Sequence, residues 1–157
     1  MKLFITLTLM LTSLTTVAAE LSDDPNTMLQ QLVTCEVTWK KLNDDYWVTS
    51  KIEDFYGNHL TRERKKRSFL PKQEMNVFGI NVVKVYPSVG LQPGFMVELD
   101  TSISNLLDVV VINGNKMLED CNSDKTICGK KLSKTESVMA LDERGRVFLA
   151  CAYPYQK

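Results

Sequence analysis

Four cysteines, Cys35, Cys121, Cys128 and Cys151, place the tightest constraint on what this chain can fold into. Whether they bind one another or a metal depends on the compartment, and the beginning of the chain bears on that. Met1-Lys2 supplies a short positive start, and Leu3 to Val17 is apolar and hydroxylic without a charge. Val17-Ala18-Ala19 has the small-residue pattern of a cleavage site before Glu20. Residues 1–19 therefore read as a secretory signal peptide. The apolar stretch is short for a membrane span and is interrupted by threonines and Ser13, and no later stretch is long and apolar enough to cross a bilayer. The boundary offers no cysteine for a lipid anchor. The expectation is an exported protein, periplasmic or extracellular, whose residues 20–157 form a single globular domain.

In an exported chain an even number of cysteines favours disulfides over metal ligation. Three pairings are possible. Cys121 to Cys128 is a polar loop whose ends can meet, so a local bridge is the simplest choice, and it leaves Cys35 to join Cys151. In the chain-entropy model the long bridge stabilises by about 4–5 kcal/mol and the short one by less. A zinc site would need four converging ligands, with His59 as the one histidine to supplement the cysteines. No metal or other cofactor is expected.

Cys151 lies in an apolar hairpin, Ser137 to Ala152, whose two runs flank Glu143-Arg144-Gly145. That spacing suits a three-residue loop with glycine in the left-handed position. The register it implies sets Asp142 against Arg146, Leu141 against Val147, Ala140 against Phe148, Met139 against Leu149 and Val138 against Ala150. Both faces are apolar, which predicts a central position in a sheet. Met139, Leu141, Val147, Leu149 and Cys151 would share one face. Near the start of the mature chain, Asp24 is a candidate N-cap and Pro25 fits a first helical turn. Met28, Leu32, Cys35, Trp39 and Leu42 then recur at four- and three-residue steps, the pattern of one amphipathic helix with Trp39 in the core. A Cys35–Cys151 bridge would staple that helix to the sheet through their buried faces.

Between these ends, Val48, Ile52 and Phe55 suggest a second short helix ending at Gly57, although Tyr46 to Thr49 could equally start a strand. Beyond Ser68 the pattern changes to strands. Met75 to Phe78 and Ile80 to Tyr86 flank Gly79, where a bulge or bend is natural. Phe95 to Leu99 and Leu107 to Ile112 follow, the latter closed by the turn Asn113-Gly114-Asn115. The expected fold class is α+β, with one or two N-terminal helices packed on a largely antiparallel, disulfide-stapled sheet of five to seven strands.

Two segments stand out as candidate binding sites. Pro87 to Gly94 holds two prolines and two glycines, so it reads as a loop of defined shape with Val89, Leu91 and Gln92 at its tip. Its aliphatic residues either tuck back onto the core or offer a pre-ordered anchor to a partner. The second segment is basic. Five of the six residues from Arg62 to Arg67 are cations, and blocks of like charge resist burial, so an exposed loop is expected over 61–68. Arg62, Arg64, Lys65, Lys66 and Arg67 are either solvated or form a docking patch for an acidic partner, phospholipid head groups or an anionic polymer. Arg64 to Arg67 before Ser68 also resembles a furin-like convertase site, which would release a fragment from Ser68 onward.

Catalytic constellations are weak. One histidine gives little support to a serine or cysteine triad, and paired cysteines leave no thiol nucleophile. The acid pairs Asp44-Asp45, Glu53-Asp54 and Glu119-Asp120 are of a kind common on surfaces. The glycines form no phosphate loop or dinucleotide fingerprint, and Asp120 to Asp124 lacks calcium-loop spacing. With 19 basic and 19 acidic residues, and a charge of about −1 once Lys2 is removed, nothing calls for a nucleic-acid partner. The expectation is binding rather than catalysis. The most concrete form is an inhibitor or immunity protein that blocks an envelope-active enzyme or toxin, a cell-wall hydrolase or secreted toxin, with the 87–94 loop in the target's cleft and the basic run on an acidic rim. An envelope assembly factor docking through the basic run, and a carboxylate-dependent hydrolase, are the alternatives.

Overall fold

The computed structural model describes residues 20–64, 66–90, 92–112, 114–134 and 136–153. Residues 1–19, where the signal peptide is expected, and Lys65, Leu91, Asn113, Thr135 and residues 154–157 lie outside them.

Asp24 opens helix α1 (Pro25–Val33) as expected, its Oδ2 accepting from the Thr27 N–H at 2.8 Å. The helix is shorter than the Met28 to Leu42 spacing suggests. Thr34 caps it, Cys35 takes φ 59°, and the Glu36 N–H reaches back to the Gln31 carbonyl at 3.0 Å. This is the 6→1 closure of a Schellman motif, with cysteine where glycine is usual. Thr38 then caps α2 (Trp39–Asp44), accepting from the Lys41 N–H at 3.2 Å. Asp45 caps α3 (Tyr46–His59) through bonds from Trp47 and Val48. Local caps thus divide an apolar stripe that periodicity alone runs together. Helix α3 buries Val48, Ile52 and Phe55 as their spacing predicts, continues through Gly57, and settles Tyr46 to Thr49 as helix rather than strand.

The chain turns directly from α3 into β1 (Leu60–Arg62) and returns as β2 (Phe69–Pro71). Strands β3 (Asn76–Val77) and β4 (Ile80–Val89) are joined by Phe78-Gly79, both at positive φ, a two-residue turn where a bulge or bend is expected. Strand β5 (Gln92–Leu99) pairs with β4, so Pro87 to Gly94 is not a free loop but the end of a long hairpin. Pro87 is accommodated at a register irregularity between Tyr86 and Ser88, where a missing N–H does little harm.

Helix α4 (Ile103–Val109), capped by Ser102, takes the first half of the segment expected as the strand Leu107 to Ile112. Its valines favour extended structure locally, but Leu106 and Val110, four residues apart, are fully buried, and packing overrides propensity. Only β6 (Val111–Ile112) and β7 (Asn115–Lys116) remain, a two-stranded ribbon around the expected turn. Strands β8 (Asp120–Cys121), β9 (Ile127–Lys131), β10 (Ser137–Glu143) and β11 (Arg146–Ala152) complete the described chain.

Among the described residues the α+β class holds, with four helices and an antiparallel sheet in the order β1-β2-β4-β5-β11-β10-β9-β8, with β3 beside β4. Its nine strands exceed the expected five to seven because two- and three-residue strands leave almost no periodic signal. Strand β11 lies between β5 and β10, so the C-terminal hairpin is central as its two apolar faces predict.

The register of that hairpin differs by one step from the expected pairing. The loop has two residues, Arg144 at φ 56° and Gly145 at φ 79°, and the Gly145 N–H bonds Asp142 Oδ1 at 2.9 Å. Such a turn matches the right-handed strand twist, which is why arginine tolerates the left-handed region here. Glu143 therefore faces Arg146, Leu141 faces Phe148 and Ala140 faces Leu149. A one-step shift sends alternate side chains to the opposite face. Val138 and Ala140 join Val147, Leu149 and Cys151 under the helices, while Met139 and Leu141 turn away from them.

The buried face packs Val85, Val97, Leu149 and Val138 against Leu29, Leu32, Phe55 and Leu106. Both expected disulfides are present. Cys35–Cys151 joins the end of α1 to the central strand, and Cys121–Cys128 closes the β8–β9 hairpin. Trp39 is half-buried, its ring 5.2 Å from that of Tyr153, whose hydroxyl donates to the Val37 carbonyl at 2.6 Å.

Candidate functional site

Side chains alternate across a strand, so the residues that do not face the helices assemble a second surface. On it, Val89 of β4, Met96 of β5, Phe148 of β11, Met139 and Leu141 of β10 and Ile127 of β9 line an open groove of about 490 Å³, with Thr126, Asp142 and Glu143 as a polar rim. This size lies within the range of ligand and side-chain anchoring sites. The two-residue turn at Arg144-Gly145 brings Leu141 to this face. The irregularity at Pro87 lets the hairpin end reach it, because a bulge bends and twists a strand. Gly94 allows the close approach on which this bend depends. A Cβ there would stand 2.2 Å from the Cys151 carbonyl oxygen and 2.9 Å from Val89 Cγ2.

A polar network adjoins the groove through Phe148. Arg146 donates from Nε to Glu98 Oε1 at 2.9 Å and from Nη2 to Oε2 at 2.6 Å, the Tyr86 hydroxyl donates to Oε2 at 2.9 Å, and Arg146 also reaches that hydroxyl. The guanidinium lies 5.0 Å from the Phe148 ring centroid. Hydrogen bonds from Arg146 hold the Glu98 carboxyl below the usual range, against the opposing effect of burial, with Tyr86 and Lys84 assisting. Burial and the Glu98 bond push the Tyr86 hydroxyl up to about 12.

A carboxyl whose folded pKa is lowered binds fewer protons folded than unfolded. Its contribution is therefore complete above the unfolded value near 4.5 and is lost as pH falls through the folded value. Glu98→Gln should be less stable than the parent at about pH 7, and the difference in urea midpoint should narrow toward about pH 3. A difference that stays constant over that interval would show that the carboxylate charge contributes nothing.

The candidate residues from the sequence fall into two places. Val89 lines the groove, and Gln92 is exposed opposite it across the hairpin end. Leu91 lies outside the described residues. The basic run, expected as a loop, is the end of the β1–β2 hairpin, where Arg62, Arg64, Lys66 and Arg67 are exposed and Lys65 is not described. Ser68 is buried. Its hydroxyl bonds Glu63 and its carbonyl accepts from the Glu63 N–H at 3.0 Å, so cleavage after Arg67 would require the segment to leave the hairpin. Glu63 also pairs with Lys84 at 3.2 Å and Lys66 at 3.4 Å, and its carboxyl is lowered chiefly by Ser68.

Met96, Ile127, Met139, Leu141 and Phe148 escape sequence reasoning as site residues. For Met139, Leu141 and Phe148 the signal is the second apolar face of the C-terminal hairpin, which reads as burial, while Met96 and Ile127 lie on the neighbouring strands β5 and β9. The Glu98–Arg146–Tyr86 network has no sequence signal, since it joins three strands. Of the acid pairs, Asp44 bonds Lys40 and Asp45 caps α3, both structural roles. His59 ends α3 with its ring against Phe55. Among the described residues, no group of three or more His, Cys, Asp or Glu side chains could hold a metal ion, and no helix is long and apolar enough to cross a membrane. Fold and site define a disulfide-stapled α+β protein with an open apolar groove on its sheet. Comparison of the chain with protein-family models, curated proteins and solved structures returns no match.

Proposed function

We propose that this is a small exported binding protein, periplasmic or extracellular, that inhibits an envelope-active enzyme or toxin by holding an apolar segment of it in the sheet groove. The observation that carries this reading is the convergence of Val89 from the β4–β5 hairpin with Met96, Met139, Leu141, Phe148 and half-exposed Ile127 on one open surface. Apolar anchors flanked by polar residues are the usual anatomy of a protein contact. The methionines suit such a surface, because an unbranched thioether adapts to its partner. Two disulfides are typical of proteins in oxidising compartments, and they support export.

The test is to immobilise the oxidised protein, pass periplasmic extract and culture supernatant over it, and assay the retained enzyme or toxin with and without added protein. Ile127→Asp changes a side chain 49% exposed, so the fold should persist while a charge enters the groove. Capture should weaken at least tenfold and inhibition should disappear, consistent with a lost anchor of about 1.5–2 kcal/mol or more. Leu91→Asp tests the hairpin end in the same assay. Undiminished inhibition by Ile127→Asp would remove the groove from the interface.

A further inference from the structure

Two exposed features that the groove does not use lie at one end of the sheet. Tyr46 and Trp47, the first residues of α3, are 76% and 78% exposed, with rings edge to face at 6.1 Å. The end of the β1–β2 hairpin carries Arg62, Arg64, Lys66 and Arg67, which with Glu63 surround a shallow cup of about 380 Å³. Topology relates the two. Phe69 of β2 pairs antiparallel with Val85 of β4, so the residues preceding Phe69 run toward the Val89 end of β4. Thr49, Ile52 and Glu53 of α3 line a cleft with Pro87, Pro93 and Gly94, which sets the N-terminus of α3 at that same end. The aromatic pair and the basic hairpin therefore lie toward the same end of the sheet.

We infer that this end of the molecule docks on the surface of a bilayer containing anionic lipids, with the hairpin cations among the head-group phosphates and Tyr46 and Trp47 in the interfacial layer. The chemistry of both features points there. Tyrosine and tryptophan concentrate at the head-group level, where an apolar ring and a polar N–H or O–H are both satisfied. Clustered Lys and Arg are attracted to an anionic surface over about a Debye length, and stable attachment generally takes two such signals. Among the described residues Arg62, Arg64 and Arg67 have no carboxylate partner, while Glu63 is taken up by Ser68, Lys66 and Lys84. A hydrated polyanionic polymer would use the cations but gain nothing from an exposed indole beside a phenol, so the pair favours lipid.

Vesicles of phosphatidylcholine with and without phosphatidylglycerol provide the test, read by co-sedimentation and by tryptophan emission. The chain has two tryptophans, and Trp39 is half-buried against Tyr153, so the part of an emission change that Trp47→Ser removes reports Trp47. Binding should require phosphatidylglycerol, weaken with salt, and shift emission to the blue. Arg64→Glu with Arg67→Glu should weaken it at least about twentyfold, at roughly fivefold per lost cation. Trp47→Ser should abolish the shift and reduce binding several-fold with unchanged circular dichroism. Ile127→Asp should bind vesicles like the parent, which separates this docking from the groove. Absence of binding would overturn the inference. So would charge-dependent binding that leaves the emission unshifted and is competed by a soluble polyanion, which would make the ligand a polymer.

Discussion

Replacing Cys35 and Cys151 together by alanine should destabilise the protein by about 4–5 kcal/mol, whereas the same change at Cys121 and Cys128 should cost about 2–3 kcal/mol. The difference follows from what each bridge denies the unfolded chain. Cys35–Cys151 spans 116 residues and Cys121–Cys128 spans 7, and a longer closed loop removes more conformational freedom. The folded state points the same way. Both Cys35 and Cys151 are buried, and the bridge joins the end of α1 to the strand at the sheet's centre. Losing it would also leave position 35, at φ 59°, without its tether to the sheet. Urea unfolding under oxidising conditions, with slopes compared as well as midpoints, checks both values. Equal losses from the two pairs would mean that the long bridge stabilises through local contacts and not by restricting the unfolded chain.

The second large effect is expected at Gly94. An alanine Cβ would lie 2.2 Å from the Cys151 carbonyl oxygen, a backbone atom held in the β5–β11 ladder by the pairing of Gly94 with Ala152. A flexible side chain could move aside, but this carbonyl cannot without opening the ladder beside the long disulfide. Gly94→Ala should cost about 3 kcal/mol in urea unfolding and displace Val89 from the groove. Gly90→Ala is the control. It meets nothing within 4 Å and bears only the left-handed backbone at φ 60°, a cost of about 1 kcal/mol. If Gly94→Ala were no worse than Gly90→Ala, the close approach of the two strands would not be a requirement of the fold.

The groove and the bilayer-docking end would serve different partners without competing. One is an apolar surface on the sheet, and the other combines a helix start with a hairpin end. Vesicle binding unaffected by Ile127→Asp, together with target inhibition unaffected by Arg64→Glu and Arg67→Glu, would establish that independence.

Legibility in the sequence tracked how local the cause was. The Asp24-Pro25 start, the Val48–Ile52–Phe55 face, the Asn113 to Asn115 turn and the short disulfide each depend on residues within a few positions of one another. The basic run was legible as exposed because clustered cations resist desolvation wherever the chain goes. Cap signals at Thr38, Asp45 and Ser102 were present but weaker to the eye than apolar spacing. An α1 running on to Leu42 and a strand at Leu107 to Ile112 were therefore expected in place of three helices.

Composition and spacing by themselves determined the α+β class, the central place of the C-terminal hairpin and the two disulfides, because burial, turn chemistry and loop closure act through a residue's own type and near neighbours. Tertiary structure alone decided which face Met139 and Leu141 occupy, since one residue in a turn reverses the alternation of a whole strand. It alone joined Tyr86, Glu98 and Arg146, and brought Val89 over the sheet. These contacts link residues up to 60 positions apart, and their energy depends on strand register and twist, which no local pattern records.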